Sequence, residues 1–428
     1  MQLAIILLSL DACLPAQTFV PPLLPGEMLE TFGNAQAANQ DWLSMGIRFA
    51  GEFDDNALND NNIRKGNLLT VIEPSIGWSM TAPRAQWTFD YQPGFSTGYP
   101  VSIYNSRSQL LDSSLHLTPS KRVQVRIHES LLKAKNAFDQ LRETELAPAS
   151  SVLDRPNNSI FAAGQESNEQ AGADLSYAMS HRTIIGASAS FYRVSYSSAL
   201  DQEPIGGATS FGTHALASYQ FTRHHWVGFD YNVDDLISKT PRSRSLVQSF
   251  LYTDTLHLRP SMKLSFFAGP QRLLNWDNSN PSFFSTEEPL STKTRWTWAS
   301  GGDFLWSSAR TNLRFGFSRR ISDGAGLQGV VQLTTFDAQV RRQLTRRWNA
   351  QLLLSGDRNA ALVPGITPLS YLSFVGGISR ALNQKVSIAC QYWHVHETNF
   401  SAPFVNSLSN HNRLSVSLVY NLKVPIQR

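Results

Sequence analysis

The sequence predicts an all-β chain: one closed, antiparallel, up-and-down transmembrane β-barrel of about eighteen strands, within a range of about 16–18. Three observations carry this. From Trp42 onward, apolar and polar residues alternate with period two. The connections between the alternating segments are short and long in turn. Charged residues are only 16% and mean hydropathy is -0.23, so the chain is neither a charge-rich disordered polymer nor a bundle of apolar helices.

The N-terminal segment is of another kind. The first stretch, Met1 to Leu10, holds an apolar run of about eight residues, and a small-residue exit follows at Ala16. This reads as a secretory signal peptide over 1–16, although no Lys or Arg precedes the run. Leu10-Asp11-Ala12-Cys13 also resembles a lipoprotein cleavage box, with Asp11 as a departure, so lipidation at Cys13 stays open. Residues 17–41 are polar, with several Pro and Gly, and read as a periplasmic arm. The barrel is expected over 42–422, with a short tail over 423–428. The only cysteines are Cys13 and Cys390, which excludes a disulfide framework. A formal net charge of +4 is too small for this length to indicate nucleic acid.

The strands follow in order. Leu43, Met45, Ile47, Phe49 and Phe53 alternate with Ser44, Gly46, Arg48, Ala50 and Glu52. Ile72, Pro74, Ile76, Trp78 and Met80 come next, then Trp87, Phe89, Tyr91, Pro93 and Phe95. The pattern returns at Val123, Val125 and Ile127, at Val227, Phe229, Tyr231 and Val233, and at Leu313, Phe315 and Phe317. It closes with Leu414, Val416, Leu418, Tyr420 and Leu422. It blurs near 184–196, 263–270 and 350–356.

There are eight short connections, among them Thr81-Ala82-Pro83-Arg84, Ser180-His181-Arg182-Thr183 and Ala381-Leu382-Asn383-Gln384, and most hold a turn former beside Lys or Arg. Longer ones, expected to number nine, are rich in Asn, Asp, Ser, Gly and Pro, the longest being 134–169. Lipid offers no partner to backbone N–H and C=O, so a spanning sheet must close on itself. A bacterial outer-membrane barrel puts its turns in the periplasm, its loops outside, apolar side chains toward lipid and polar ones inward. Trp78, Trp87, Trp226, Trp306 and Trp348 stand near short turns and are expected at one membrane interface. Trp42, Trp296, Trp298 and Tyr392 extend the belts. A soluble pair of β-sandwiches, or a propeller, fits less well. Neither alternates short and long connections throughout, and no fixed-period repeat is present.

The stretch from Gly46 to Phe95 carries a resemblance. It holds Gly51-Glu52-Phe53-Asp54-Asp55-Asn56, Glu73-Pro74-Ser75-Ile76-Gly77-Trp78 and Tyr91-Gln92-Pro93-Gly94-Phe95. This is similar to β-barrel porin-like outer-membrane proteins of the type associated with exopolysaccharide synthesis and export. The resemblance implies an integral outer-membrane barrel with a transport role, and no catalytic residue. Many outer-membrane barrels end on an aromatic residue that the assembly machinery reads. Here Tyr420-Asn421-Leu422 precedes Lys423 to Arg428, a departure that either puts the signal inside the chain at Tyr420 or leaves efficient assembly in question.

The face opposite the apolar rows carries Arg48, Glu52, Glu73, Asp90, Asp112, His116, Arg126, His128, Asp174, His214, Asp230, Asp303 and Arg314. These are the candidate pore-lining residues, and a barrel of this size is too wide for side chains to fill. The opposing expectation is that they pair across a lumen plugged by a loop. Residues 129–146 are rich in helix formers and read either as an inward constriction or as a surface helix or strand extension, the latter favoured.

Other constellations carry less. His394 and His396 lack a third metal ligand, and His224-His225 reads as a solvated turn. The oxygen-rich Asp54, Asp55, Asn56, Asn59, Asp60, Asn61 and Asn62 lack EF-hand spacing. No GxSxG, P-loop or GxGxxG occurs. We therefore expect no enzyme, no cofactor and no metal. The expected partners are outer-membrane lipid, the barrel assembly machinery, and small solutes or polysaccharide. The expected function is a passive pore or export channel. The alternative is a structural or adhesive barrel with ligand-binding loops and no conduction.

Overall fold

The computed structural model describes residues 41–57, 64–101, 106–134, 164–198, 204–239, 242–277, 292–322, 330–362, 368–398 and 408–425. Eighteen strands account for nearly all of them. They are β1 (Trp42–Asp54), β2 (Asn67–Ala82), β3 (Ala85–Tyr99), β4 (Ser106–Ser120), β5 (Val123–Ala134) and β6 (Gly164–Ala178). There follow β7 (Thr183–Ser198), β8 (Pro204–Thr222), β9 (His225–Lys239), β10 (Arg242–Arg259), β11 (Met262–Asp277) and β12 (Thr292–Ser307). The last are β13 (Thr311–Ser322), β14 (Val331–Gln343), β15 (Trp348–Ala361), β16 (Leu369–Ala381), β17 (Val386–Thr398) and β18 (Leu408–Pro425). Every strand pairs antiparallel with its neighbours in sequence, and β1 pairs with β18, so the sheet is a closed 18-stranded barrel.

The turns at one end follow from local chemistry. The side chains of Ser180, Ser308, Thr345 and Asn383 each accept a hydrogen bond from a backbone N–H two or three residues on. At the other end the connections are longer, with one exception. β9 and β10 are joined by residues 240 and 241 alone, so that end does not carry nine long loops. The expected tail also begins too early, since β18 runs to Pro425, which pairs with Trp42. The segments expected to be signal peptide and arm lie outside the described residues, except Asp41, whose carboxylate accepts a hydrogen bond from the Thr81 N–H.

Burial follows the predicted alternation. On β1, Ser44, Arg48, Ala50, Glu52 and Asp54 are buried, while Met45, Phe49 and Phe53 are exposed. On β18, Leu414, Val416, Leu418 and Tyr420 are exposed, and His411, Arg413, Ser415 and Ser417 are buried. A closed antiparallel meander with an even strand number, tight turns at one end and an apolar exterior is a bacterial outer-membrane barrel. Exposed apolar rows this extensive are stable only against lipid.

The seam between β18 and β1 is tied on its inner side by an ionic chain. Arg48 donates to Glu73 at 2.9 Å and to Glu52 at 3.0 Å. Arg413 donates to Glu52 at 3.2 Å and to Asp54 at 3.1 Å. Ser415 Oγ donates to Glu52 at 3.3 Å and accepts from Arg48 at 3.1 Å. These are charge-assisted hydrogen bonds among side chains less than a tenth exposed.

Two outcomes test this architecture. Leu418 sits near the middle of the apolar row of β18, so Leu418→Arg should lower unfolding free energy by about 2–4 kcal/mol, read from urea titrations in phospholipid bilayers. Arg413→Ala removes the guanidinium that Glu52 and Asp54 share, Glu52 keeping Arg48, and should cost about 3 kcal/mol, of which adding Asp54→Asn restores a part.

Candidate functional site

All thirteen expected pore-lining residues lie on the inner face of the barrel. Arg48, Glu52, Glu73, Asp112, Arg126, His128, Asp230, Asp303 and Arg314 are buried there, and Asp90, His116, Asp174 and His214 are half-buried. Their parity on each strand opposes that of the exposed apolar residues, which is why the alternation located them.

The charges are arranged as compact arrays. The seam chain is the first; it includes Asp54, read from the sequence as part of an oxygen-rich loop, and Arg413 and His411, which the sequence reading did not single out. The second joins three neighbouring strands: Arg314 of β13 stands 3.1 Å from Asp303 of β12 and 3.7 Å from Asp337 of β14. Asp337 was also missed, although it shares the inward parity of Thr335 on β14. A third group gathers Arg126 and His128 of β5, Asp174 of β6 and, directly opposite Arg126 on β4, His116. His128 Nδ1 lies 3.9 Å from Asp174. Asp90 and Asp112 are also direct cross-strand partners.

The inner face is not polar throughout. Midway along the strands it carries apolar patches: Leu353, Val375, Trp393 and Val395 on β15–β17, and Leu251, Phe267 and Ala299 on β10–β12. Room for the Phe267 ring is left by Gly301, where a Cβ would come within 2.6 Å of Phe267 Cζ. Period-two reasoning assigns these residues to a face but cannot state what that face touches.

The most consequential feature lies beside this patch. Pairing between β12 and β13 runs from Ser307↔Asn312 to Ser300↔Arg319 and stops there. Beyond it, the ends of β13 and β14 lie inside the wall. Ile321 and Val330 are buried against Leu236, Val247 and Leu273, which are inner-face residues of β9, β10 and β11. The Ile321 N–H donates to Gln271 Oε1 of β11 at 3.0 Å. Thr297 Oγ1, on the inner face of β12, donates to Gln332 Oε1 of β14 at 2.9 Å. Arg295 of β12 reaches the carbonyl of Leu362, just past β15, at 3.3 Å. The sheet thus overlaps itself at the loop end, and the lumen is narrowed by strand ends. The segment 129–146, for which an inward constriction is the less favoured reading of the sequence, is a strand extension where it is described: Glu129–Ala134 continues β5, and 135–146 lies outside the described residues.

The aromatic expectations divide. Trp78 and Trp87 face outward and pack edge to face at 5.3 Å, with Phe89 stacked on Trp78 at 4.3 Å. Trp306 and Trp348 also have outward parity next to turns, and Arg380 covers the Trp348 ring at 5.3 Å. Trp226 is a correction: it faces inward and is 3% exposed. Its row partners are Gly228 and Asp230, whereas Val227, Phe229 and Tyr231 form the outward row. Proximity to a turn does not choose a face; parity does. Trp42 likewise shares the inner parity of Ser44 and lies under Lys423, whose Nζ is 4.3 Å from the ring. Trp296 and Trp298 face outward near the loop end and are about two-thirds exposed, with Tyr392 also outward.

His225, His394 and His396 have ordinary partners. His225 does not stand free in its turn; its Nε2 lies 2.9 Å from Asp254, which also accepts from Tyr252 Oη. His394 and His396 face outward with Asn412 and Asn410 as their Nδ1 partners. Asp55 takes both the backbone and side-chain N–H of Asn412, while Asn59 to Asn62 lie outside the described residues. Among the described residues, no three His, Cys, Asp or Glu side chains converge for a metal ion.

No protein-family model matches the chain, and no curated protein matches it in sequence. Among solved structures it is similar to OccK2 (OpdF) of Pseudomonas aeruginosa, with 10% identity and a TM-score of 0.45 over 89% of this chain and 98% of that one. It is also similar to OccAB4 of Acinetobacter baumannii, with 11% identity and a TM-score of 0.43 over 91% of this chain and 100% of that one. A third is the outer membrane protein OpdK of Pseudomonas aeruginosa, with 10% identity and a TM-score of 0.40 over 90% and 99%.

Proposed function

We propose that the chain is a passive outer-membrane pore for small polar solutes. The observation that carries this reading is the closed wall whose inner face holds both signs of charge in fixed arrays. Those arrays centre on β1 and on β13, six strands apart in a ring of eighteen. An inner wall of this kind replaces part of a solute's hydration and leaves no apolar barrier along the polar half of the lumen. Pore-lining roles then fall to Arg48, Glu52, Glu73, Asp303 and Arg314 in the arrays, and to Arg126, His128, Asp174 and His214 on β5–β8. The outer partners are lipid, against the exposed rows, and the assembly machinery, reading the β18 strand around Tyr420. The overlap of β13 and β14 on the inner wall favours small solutes over a polysaccharide, since it removes lumen width at the loop end.

One observation favours a second reading. The lumen-facing side chains of the seam array are almost fully buried, as they are in a packed interior, which suits a non-conducting structural barrel. Planar-bilayer recording separates the two: stepwise single-channel currents from purified, heat-modifiable barrel support the pore, and silence supports the closed barrel. Selectivity is a finer test. Arg314→Gln removes the positive centre of the β12–β14 array beside Asp303 and Asp337. The potassium-to-chloride permeability ratio should then rise by about two-fold, read from the reversal potential in a salt gradient.

A further inference from the structure

We propose that the loop-end segments of β13 and β14 form a two-position gate, tucked against the inner wall in this structure and able to zip onto the free edge of β12. The proposal rests on the pore reading and adds a moving part to it. Three independent features of the chain carry it.

The first is register. The β12–β13 ladder keeps one spacing from Ser307↔Asn312 to Ser300↔Arg319, with no bulge. Both strands then continue, β12 to Thr292 and β13 to Ser322. Carried on without interruption, the same register sets Ala299 opposite Arg320, Trp298 opposite Ile321 and Thr297 opposite Ser322. A ready ladder therefore exists and is not closed. An unpaired strand edge is a template for a further strand, so the edge of β12 beyond Ser300, unpaired with β13 among the described residues, favours re-pairing.

The second is the alternation of β13 itself. Leu313, Phe315 and Phe317 form its outward row, and Ile321 has the same parity. In the wall, Ile321 would therefore face outward beside Trp298, which is 67% exposed. In the tucked position the same side chain is buried among Leu236, Val247 and Leu273. One isoleucine thus finds an apolar environment in both positions, which is what a bistable element requires.

The third is the composition of the tucked contact. Among the described residues it includes one apolar cluster and single hydrogen bonds from Ile321 N–H to Gln271, from Thr297 to Gln332 and from Arg295 to the Leu362 carbonyl. Zipping would exchange these for ladder bonds and exterior packing, so neither position holds an overwhelming advantage. β14 would move with β13, because Gln332 and Leu333 pair with Ile321 and Arg320. Tucked, the two strand ends stand inside the wall and narrow the lumen. Zipped, they rejoin the wall and the lumen widens.

The test is a pair of cross-links in a background with Cys13→Ser and Cys390→Ser. Gln271→Cys with Ile321→Cys ties the tucked position, through a disulfide or a one-carbon bis-methanethiosulfonate. Trp298→Cys with Ile321→Cys ties the zipped one. Each variant is first shown to be folded by heat-modifiable gel migration, then recorded in planar bilayers before and after reduction. The zipped tie should raise single-channel conductance by at least about two-fold over the reduced protein, and the tucked tie should lower it and abolish level switching. Failure of Trp298→Cys and Ile321→Cys to cross-link in folded barrels overturns the gate, as do equal conductances in both ties. In the second case the pore reading stands. Barrels silent in every variant, the zipped tie included, overturn the pore reading itself.

Discussion

Hydrogen bonding of the backbone in a medium without water is the constraint on which everything else rests. Each strand that enters lipid must find partners on both edges, and the only arrangement that supplies them to eighteen strands is a ring. Closure sets the direction of every side chain. Once the ring is closed, even and odd positions have no choice but lipid or lumen, and the apolar rows and the charged rows follow.

The lumen side obeys a different rule. There the charges are not spread evenly but sit beside partners of opposite sign on neighbouring strands, as with Arg48 between Glu52 and Glu73, or Arg314 between Asp303 and Asp337. Pairing lowers the cost of keeping a charge on a low-dielectric wall. It also turns the inner face into local dipolar arrays. The seam array has a second role: it joins the first strand to the last across 361 residues of chain, from Glu52 to Arg413.

The overlap of β13 and β14 on the inner wall departs from the simple cylinder. It shows how a barrel narrows its lumen with strand ends, using the apolar inner patch on β9–β11 as a seat. The departure is confined to the loop end, where the exterior row of β13 has already passed from Phe317 to the exposed Arg319 and the demand for an unbroken ladder is weaker. Below that level the β12–β13 ladder is intact.

The sequence by itself determined the fold class, the strand count and the face of nearly every strand residue, because period-two alternation is a local property that survives without knowledge of any partner. It located Arg48, Glu52, Glu73 and Arg314 for the same reason. It misplaced Trp226 only where nearness to a turn was preferred to parity, and its own row of Val227, Phe229 and Tyr231 held the right answer. The tertiary structure alone decided which charges meet, that Arg413 and Asp54 complete the seam, and that Ile321 lies inside rather than out. Those outcomes depend on contacts between strands far apart in the chain, to which a repeating pattern of apolar and polar residues is blind.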